Sequence, residues 1–423
     1  MTLKQKVQLI HHLLRHRHLI IQQHRDIQSI FEHYSFFDYL LDDFAEKPKK
    51  WPDYLKAVHY GVCDEIFNYS ANVDALTINT ALQLIKKSRW PFYVGFFQAL
   101  FSHLSHNKEQ LVRDYRAKAG LAGGAAHPEW MVKRWIDRYG LESTRQLLEF
   151  NNQKPSLYLV VNPSKIRVTE YMNQLQHHSI HYLHPFPEIP VIRIDDPVHV
   201  DQLPGYGSGW FWIQDPSAVL VIYLVQCLRL DRILDVCAAP GGKSFMLAGL
   251  FPEADITACD HALKKIGRLR ENCERLGFNR IGIIQADGLS LPFRPAFDLI
   301  LLDAPCSGLG VIQRKGDIRW SKQENHIIQL ADLQKRLLDQ AADHLRPGGY
   351  LLYATCTLEP EETDWQIRDF LNRHPDFKSV CPQNAVEPLR QMIRDGFYYS
   401  IPQHDHLAGA FAALLQKSSQ PSP

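Results

Sequence analysis

Short apolar strands alternate with helical segments from residue 232 to residue 356, and this alternation restricts the chain to one class of fold. Near-continuous apolar strands between helices are typical of parallel sheets that helices cover on both faces. The sequence therefore predicts an α/β fold with a doubly wound sheet. The predicted strands are RILDVC (232–237), DITACD (255–260), GIIQAD (282–287), FDLILLD (297–303) and YLLYATC (350–356).

The residues that close these strands indicate where chemistry can occur. Doubly wound sheets bind ligands outside the carboxyl ends of their strands, where the loops of neighbouring strands meet. We therefore expect cofactor-binding and catalytic side chains at this edge. The strand-closing residues are Cys237, Asp260, Asp287, Asp303 and Cys356.

Two further regions precede this sheet. Runs such as Gln28–Leu41 and Ala75–Leu104 place apolar residues three and four apart, which predicts helices. The small, glycine-rich stretch AKAGLAGGAA (117–126) suits a linker. A helix after His127 and the short strands SLYLVVN (156–162) and PVIRI (190–194) indicate a small mixed module. We predict a helical domain at 1–116, a small α+β module at 127–205 and the strand–helix domain at 206–418.

Charge and hydropathy exclude a membrane protein and leave nucleic acid open as a partner. Lys and Arg number 47 against 46 Asp and Glu, yet residues 1–25 carry five bases and no acid. The longest purely hydrophobic stretch, Ala218–Val225, has eight residues, whereas a membrane helix needs about 20. No secretory signal is evident, so we expect a cytoplasmic location.

The eight cysteines predict reduced thiols rather than disulfides or structural zinc, because none form a Cys-x-x-Cys pair. Cys63, Cys227, Cys259, Cys273 and Cys381 are interpreted as small buried hydrophobic residues. In the run HHLLRHRH (11–18), two histidines stand four apart, but no carboxylate or cysteine stands nearby to complete a site. No metal is expected.

The loop CAAPGGKS (237–244) follows the first strand of the sheet. A P-loop would need glycine at Cys237, and the Gly-x-Gly-x-x-Gly dinucleotide fingerprint is also absent. Asp260, 18 residues beyond Gly242, stands where an acid of this fold meets ribose hydroxyls, and Asp287 is placed to accept from an adenine amino group. The combination predicts S-adenosyl-L-methionine as cofactor. Alternatively, either aspartate is simply a turn or helix-cap residue.

Cys306 in DAPCSG and Cys356 in YATCTLEPEE lie at or just after predicted strand ends, so both thiols could face the cofactor. Methylation of an unactivated aromatic carbon requires a carbanion equivalent. A thiolate that adds to C6 of a cytosine creates one at C5. A nucleophilic cysteine beside a methyl donor therefore has a specific use, and its site should favour the thiolate.

The runs LDVCAAPGGKS, LLDAPCSGLGVIQRKGDIRW and LLYATCTLEPEET resemble the motifs of the Sun/Fmu (RsmB-type) family of RNA cytosine-C5 methyltransferases, a similarity that covers residues 127–415. The resemblance implies a Rossmann-like class I S-adenosylmethionine methyltransferase domain. It implies that Cys356 attacks the cytosine, that Cys306 helps release the product, and that Asp303 contacts the cytosine close to the cofactor. The cofactor-lining residues it implies are Cys237, Ala238, Ala239, Pro240, Gly241, Gly242, Lys243, Asp260, Asp287 and Asp303.

Residues 51–104 resemble, more weakly, the NusB-type RNA-binding module of bacterial small-subunit ribosomal RNA methyltransferases in this family. Basic clusters at Arg314–Lys322 and Lys264–Arg275 support an RNA partner, expected to be 16S ribosomal RNA, although either could be an ordinary solvated helix face. Two other functions stay open: the same chemistry on transfer RNA, and a non-catalytic RNA-binding or ribosome-assembly role. We expect a monomer.

Overall fold

The computed structural model describes residues 3–15, 34–45, 51–69, 75–382 and 385–419. Several predictions therefore lie outside the described residues: His16 and His18 of the histidine run, Arg17 and Arg25, and the first part of the helix predicted at Gln28–Leu41. The chain divides into two compact units. The first comprises residues 1–153 with 312–322, and the second comprises residues 154–311 with 323–423.

The first unit is helical throughout its described residues, as the apolar spacing predicts. Its core contains Trp51, Leu55, Phe97 and Phe101, all buried. The likeness to a NusB-type module stays a prediction. The helices are α1 (Leu3–Arg15), α2 (Tyr34–Phe44), α3 (Asp53–Asp64), α4 (Ala75–Lys86), α5 (Val94–Gly124), α6 (Glu129–Tyr139) and α7 (Leu141–Asn152), with a π-helix at Glu65–Tyr69, a 3-10 turn at Pro91–Tyr93 and a short helix at Ile318–Ser321.

The glycine-rich stretch at 117–126 differs from the expected linker, because α5 continues through it to Gly124. Alanine is the best helix former, and the alanines interspersed in this stretch offset the glycines, each of which costs about 1 kcal/mol in a helix. The helical region thus extends past residue 116. The boundary between the first two predicted domains stays a prediction.

Arg319 corrects the expectation of a basic surface at Arg314–Lys322, since its side chain is 1% exposed. Its Nη2 donates to the carbonyl of Asn151 at 2.7 Å, in the last turn of α7. The last carbonyls of a helix have no partner within the helix, and a guanidinium satisfies them. Arg319 therefore serves the packing of the first unit.

The second unit contains two sheets. In the smaller one, β1 to β4 pair antiparallel in the order β2-β3-β1-β4, and α8 covers one face through Tyr171 and Leu175. The strands are β1 (Leu157–Val161), β2 (Tyr182–Leu183), β3 (Val191–Ile194), β4 (Phe211–Ile213), β5 (Arg232–Asp235), β6 (Asp255–Asp260), β7 (Gly282–Gln285), β8 (Phe297–Asp303), β9 (Leu345–Thr355), β10 (Phe377–Ser379), β11 (Ile393–Arg394), β12 (Phe397–Ser400) and β13 (Ala410–Lys417). The helices are α8 (Val168–His177), α9 (Pro216–Tyr223), α10 (Gly242–Leu250), α11 (Leu263–Leu276), α12 (Glu324–His344) and α13 (Asp364–Arg373), with a short helix at Pro402–Asp405.

The larger sheet has the strand order β11-β12-β13-β9-β8-β5-β6-β7, and β10 pairs with β13. Five neighbouring strands of this order, β9, β8, β5, β6 and β7, are parallel to one another, which confirms the predicted α/β fold. Strands β10 to β13 extend it antiparallel, so the sheet is mixed rather than purely parallel. Strands β10, β11 and β12 have only three, two and four residues, which concealed them in the sequence. Strand β13 has eight residues, but its apolar run does not alternate, so periodicity did not identify it as a strand.

Alternate residues of the parallel strands pack on opposite faces of the sheet. Ile233 and Leu299 join the cluster that contains α9, α10 and α11, whereas Leu234 and Ile300 join the cluster of α12 and α13. All four side chains are 0% exposed, and burying such a side chain stabilises the fold by about 1.5–3 kcal/mol. The sheet is therefore doubly wound, and its loops are free to form a site at the carboxyl edge. Within the described ranges, no helix has the length and apolarity that crossing a bilayer requires.

Candidate active site

The carboxyl ends of the five parallel strands meet at one edge of the sheet. Backbone pairing continues beyond the strands: Ala238 N donates to Cys259 O and Ala304 N donates to Ala354 O, both at 2.9 Å. The loops that follow β5 and β6, and those that follow β8 and β9, are therefore direct neighbours. Every predicted site residue follows or closes one of these strands.

Two thiols approach each other closely at this edge. The Sγ atoms of Cys306 and Cys356 lie 3.2 Å apart, although 50 residues separate them in the chain. Cys356 N points to the Cys306 Sγ at 3.4 Å, and Cys356 O accepts from Gly310 N at 3.1 Å. Neither thiol forms a disulfide, and both are partly exposed. The main chain of Cys356 is thus held on both sides by the loop that carries Cys306.

A partly buried ion pair lies near the thiols. Lys243 Nζ donates to Asp303 Oδ2 at 2.6 Å, and the two side chains are 13% and 34% exposed. Burial lowers the pKa of Lys243, but the negative charges of Asp303, Cys356 and Asp235 together raise it above its ordinary value. Lys243 is therefore a cation within electrostatic reach of Cys356, and its charge stabilises a thiolate there.

The environment of Cys306 has the opposite effect. Its hydrogen bond with Cys356 and its burial, with the negative charges of Cys356 and Glu362, raise the pKa of the Cys306 thiol well above its ordinary value. Cys306 is accordingly protonated at neutral pH. Because the two Sγ atoms lie 3.2 Å apart, the thiols titrate as a pair, and the first proton leaves more readily than the second.

Sequence reasoning did not identify Glu362, which lies behind the thiols. It is 0% exposed, and its Oε1 accepts from Ser307 N at 2.8 Å and from Gln334 Nε2 at 3.0 Å. Burial, acting against these hydrogen bonds, raises the pKa of its carboxyl group. The available signal was the pair of acids that ends YATCTLEPEE, which places a carboxylate six residues after Cys356.

The remaining cysteines have other environments. Cys63, Cys259 and Cys273 are buried, as predicted, but Cys227 and Cys381 are exposed, so that interpretation is wrong for these two. Both lie in connections outside regular elements, where no neighbouring layer packs over the side chain. Burial raises the pKa of the Cys237 thiol, which makes it a poor nucleophile.

The loop that follows β5 is fixed by its own packing. Gly241 has φ +113°, and a Cβ there would lie 2.3 Å from the Phe245 ring. A Cβ on Gly242 would lie 1.8 Å from Gln214 Oε1. The carbonyl of Pro240 accepts from Asn272 Nδ2 at 3.1 Å. Residues 237–243 thus form a rigid turn into α10. Positions 241 and 242 need glycine because neighbouring side chains leave no room for a Cβ.

Three acids lie at the carboxyl ends of β5, β6 and β7. Asp235 is 1% exposed and accepts from Ser244 Oγ at 2.6 Å, and burial raises its pKa to about 7. Asp260 is 4% exposed and accepts from Ala262 N at 3.0 Å. Asp287 is exposed and accepts from Leu289 N at 2.9 Å. Asp260 and Asp287 therefore make the local turn contacts that the sequence offered as the alternative to cofactor binding. Their carboxylates also lie at the carboxyl edge of the sheet, where ligands bind in this fold.

This donor set fits S-adenosyl-L-methionine better than a nucleotide. Carboxylates after β6 and β7 suit ribose hydroxyls and an adenine amino group. A phosphate would need a cation, but Lys243, the one basic residue of the loop, is paired with Asp303. No group of three His, Cys, Asp or Glu side chains that could hold a metal occurs among the residues that the structure describes.

Comparisons with known proteins agree with this geometry. The family model described as 16S rRNA methyltransferase RsmB/F matches residues 223–416, and a ferredoxin-like domain model of RsmF/B-like methyltransferases matches residues 127–201. The ribosomal RNA small subunit methyltransferase B of Klebsiella pneumoniae is 37% identical over 321 residues, which cover 73% of each chain. The protein of the same name from Vibrio cholerae is 35% identical and covers 74% of this chain and 73% of its own.

Solved structures show the same fold. The structure of PH0851 superposes with a TM-score of 0.77 at 24% identity and covers 92% of this chain and 88% of its own. NSun6 from Pyrococcus horikoshii, solved with SFG, superposes with a TM-score of 0.60 at 20% identity and covers 70% of this chain and 99% of its own. The methyl donor of this site is S-adenosyl-L-methionine, and the chain belongs to the RsmB/F family of 16S rRNA methyltransferases.

Proposed function

We propose that this chain methylates C5 of a cytosine in small-subunit (16S) ribosomal RNA through a covalent bond between Cys356 and C6. The observation that carries the proposal is the pair of sulfurs 3.2 Å apart, with Lys243 on the Cys356 side. A single thiol could serve as a buried hydrophobic residue, but two unequal thiols at the ligand edge of a methyltransferase sheet suit the formation and cleavage of a covalent adduct.

The proposed reaction begins with attack by the Cys356 thiolate on C6, which moves the electron pair of the C5–C6 double bond to C5. When bound, S-adenosyl-L-methionine supplies an electrophilic methyl group. C5 takes the methyl group, which leaves S-adenosyl-L-homocysteine as the neutral product. A base then removes the C5 proton, the double bond re-forms, and the Cys356–C6 bond breaks with its electron pair returning to the sulfur. Lys243 favours the attacking thiolate, and Asp303 lies beside it to contact the cytosine.

Cys306 assists the last step in this proposal. Its protonated thiol lies 3.2 Å from the Cys356 Sγ and can donate a hydrogen bond to that sulfur as it leaves. A donor that stabilises the developing thiolate lowers the barrier to elimination. Removing Cys306 should therefore slow product release and leave the methylated RNA attached to Cys356.

The RNA substrate is inferred from the names of the relatives and from the chemistry. A cytosine inside a helix cannot reach a strand-end pocket, so the base must leave its stack. Exposed cations on α11 could contact the phosphates around an extruded base: Lys264, Lys265, Arg268 and Arg270. Arg275 of the same cluster instead donates to Tyr206 O and Phe211 O. The proposal includes action as a monomer in the cytoplasm, where ribosomal RNA is found.

The test uses wild type, Cys356→Ala and Cys306→Ala with labelled S-adenosyl-L-methionine and unmethylated 16S ribosomal RNA. We expect 5-methylcytosine from wild type, none from Cys356→Ala, and a denaturation-resistant protein–RNA adduct with Cys306→Ala. Full activity in Cys356→Ala would refute the nucleophile. Product from transfer RNA alone would reassign the substrate, and cofactor binding without turnover on any RNA would favour the non-catalytic role.

A further inference from the structure

One buried network holds both peptide groups that flank Cys306. Gln334 Nε2 donates to Pro305 O at 2.8 Å, which is the carbonyl of the peptide before Cys306. Ser307 N, in the peptide after Cys306, donates to Glu362 Oε1 at 2.8 Å. Gln334 Nε2 also donates to the same Oε1 at 3.0 Å. The residue that bears the thiol is therefore fixed from both sides.

Tyr353 on β9 completes this network. Its hydroxyl lies 3.1 Å from Gln334 Oε1 and 2.8 Å from Glu362 O, and it can donate to either oxygen. Tyr353, Gln334 and Glu362 are all 0% exposed. Fully buried polar side chains that bond to one another restrict a loop to one geometry, because each alternative leaves a buried group unpaired.

One atom of the network does not fit a purely structural role. Glu362 Oε2 is buried and has no hydrogen-bond partner among the described residues. An unpaired buried oxygen typically costs about 1–3 kcal/mol, and more when it carries charge. Ser307 N and Gln334 Nε2 would bond equally well to the side-chain oxygen of a glutamine. When it is ionised, the carboxylate adds a negative charge that neutral groups in the same position would not supply.

That charge acts on the thiol pair. Glu362 is among the groups that raise the pKa of Cys306, after the hydrogen bond with Cys356 and burial. Tyr353 and Cys356 are the other titratable groups around this thiol, and Glu359 acts on Glu362 itself. On the far side of the pair, Lys243 and Asp303 face Cys356.

We propose that Glu362 is the positioning residue for Cys306: its carboxylate anchors the loop that carries this thiol and keeps a negative charge on that side of the thiol pair. The inference rests on the proposed function, in which Cys356 reacts as the thiolate and Cys306 stays protonated. The cation of Lys243 on one side and the anion of Glu362 on the other direct the proton to Cys306. Glu362 touches neither RNA nor methyl donor in this scheme and acts only through Cys306.

The first test measures the acidity of Cys306 without requiring RNA. In a Cys356→Ala background, alkylation of Cys306 by iodoacetamide is followed over pH by mass spectrometry of its peptide. We expect Glu362→Gln to raise the rate of Cys306 alkylation at pH 8 about tenfold, because a thiol whose pKa is lower by about one unit has about ten times more thiolate at that pH. Glu361→Gln removes the neighbouring charge and should leave the rate unchanged. A Glu362→Gln rate within about twofold of its parent would overturn the electrostatic role.

The second test addresses positioning with both cysteines present. Glu362→Asp keeps the charge but shortens the side chain by one methylene, so it should leave Cys306 alkylation near the parental rate. We expect slower turnover on 16S ribosomal RNA and a persistent adduct, as for Cys306→Ala. Wild-type turnover without an adduct in Glu362→Asp would refute the anchoring role. If Glu362→Gln fails to fold, this measurement on Glu362→Asp alone decides whether Glu362 positions Cys306.

The two proposals fail separately. If wild type makes no 5-methylcytosine and Cys306→Ala traps no RNA, the proposed function is wrong, and the alkylation profile still decides whether Glu362 controls Cys306. If Cys306→Ala traps RNA but the Glu362 variants behave as wild type in both assays, the proposed function stands and the role of Glu362 is refuted.

Discussion

The buried carboxyl group of Asp235 predicts a specific loss of stability as pH rises. One oxygen accepts from Ser244 Oγ at 2.6 Å, whereas Oδ1 is buried without a partner among the described residues. Burial, reinforced by the negative charges of Asp303 and Asp260, raises the pKa from 3.8 to about 7 despite Ser244 and Lys243. The folded chain therefore retains a proton that the unfolded chain releases.

The magnitude follows from this shift. Below pH 3.8 Asp235 is protonated in both the folded and the unfolded chain, so it does not change the free energy of unfolding. Between pH 3.8 and pH 7 it lowers the free energy of unfolding more and more as pH rises, and above pH 7 the decrease stays constant. Linkage gives a cost of about 3 kcal/mol at pH 6 and about 4 kcal/mol at pH 8. Asp235→Asn cannot titrate, so its stability relative to wild type should improve by about 1.4 kcal/mol between pH 6 and pH 8.

The assay is urea unfolding of the full chain without cofactor at pH 6, 7 and 8, followed by pulse proteolysis and identification of the fragments. Asp255→Asn serves as the matched control, because Asp255 is exposed at the start of β6 and its loss should not change the slope with pH. Parallel curves for wild type and Asp235→Asn would refute the reasoning, since they would mean that Asp235 is ionised to the same extent in both states.

Three further changes test other parts of the structure. Lys243→Met removes the cation near Cys356, so we expect about tenfold slower alkylation of that thiol by iodoacetamide at pH 7; an unchanged rate would contradict the role of the cation. Gly310→Ala would place a Cβ 2.5 Å from Gly409 O, and this clash must displace the loop that holds Cys356, so turnover should fall at least tenfold while calorimetry still detects S-adenosyl-L-methionine binding. Normal turnover would show that the loop adapts to the added methyl group. Arg319→Met deprives a helix end of its buried donor, so urea unfolding should show a loss of about 2–4 kcal/mol, and no loss would mean that water replaces the guanidinium.

Several elements of the fold were readable from local sequence. The bounds of β6 and β8 agree with the predicted strands, because their apolar runs end at the acids that close them, Asp260 and Asp303. The helical stretch at 117–124 was missed because glycine masked the helix propensity of the alanines. Strands β10 to β12 were missed because strands of two to four residues gain their stability from neighbours rather than from their own residues. Strand β13 was missed because its apolar run of residues does not show the alternation of a half-buried strand.

By itself, the sequence determined the α/β architecture, the loop after the first parallel strand, and the identity of the two thiols at strand ends, since each is encoded within a short run of residues. Only the tertiary structure decided which thiol stands beside Lys243 and which beside Glu362. It also decided that Arg319 is buried rather than exposed. The physical reason is that these contacts join segments far apart in the chain, and the sheet order and helix packing that bring them together leave no mark on any single motif.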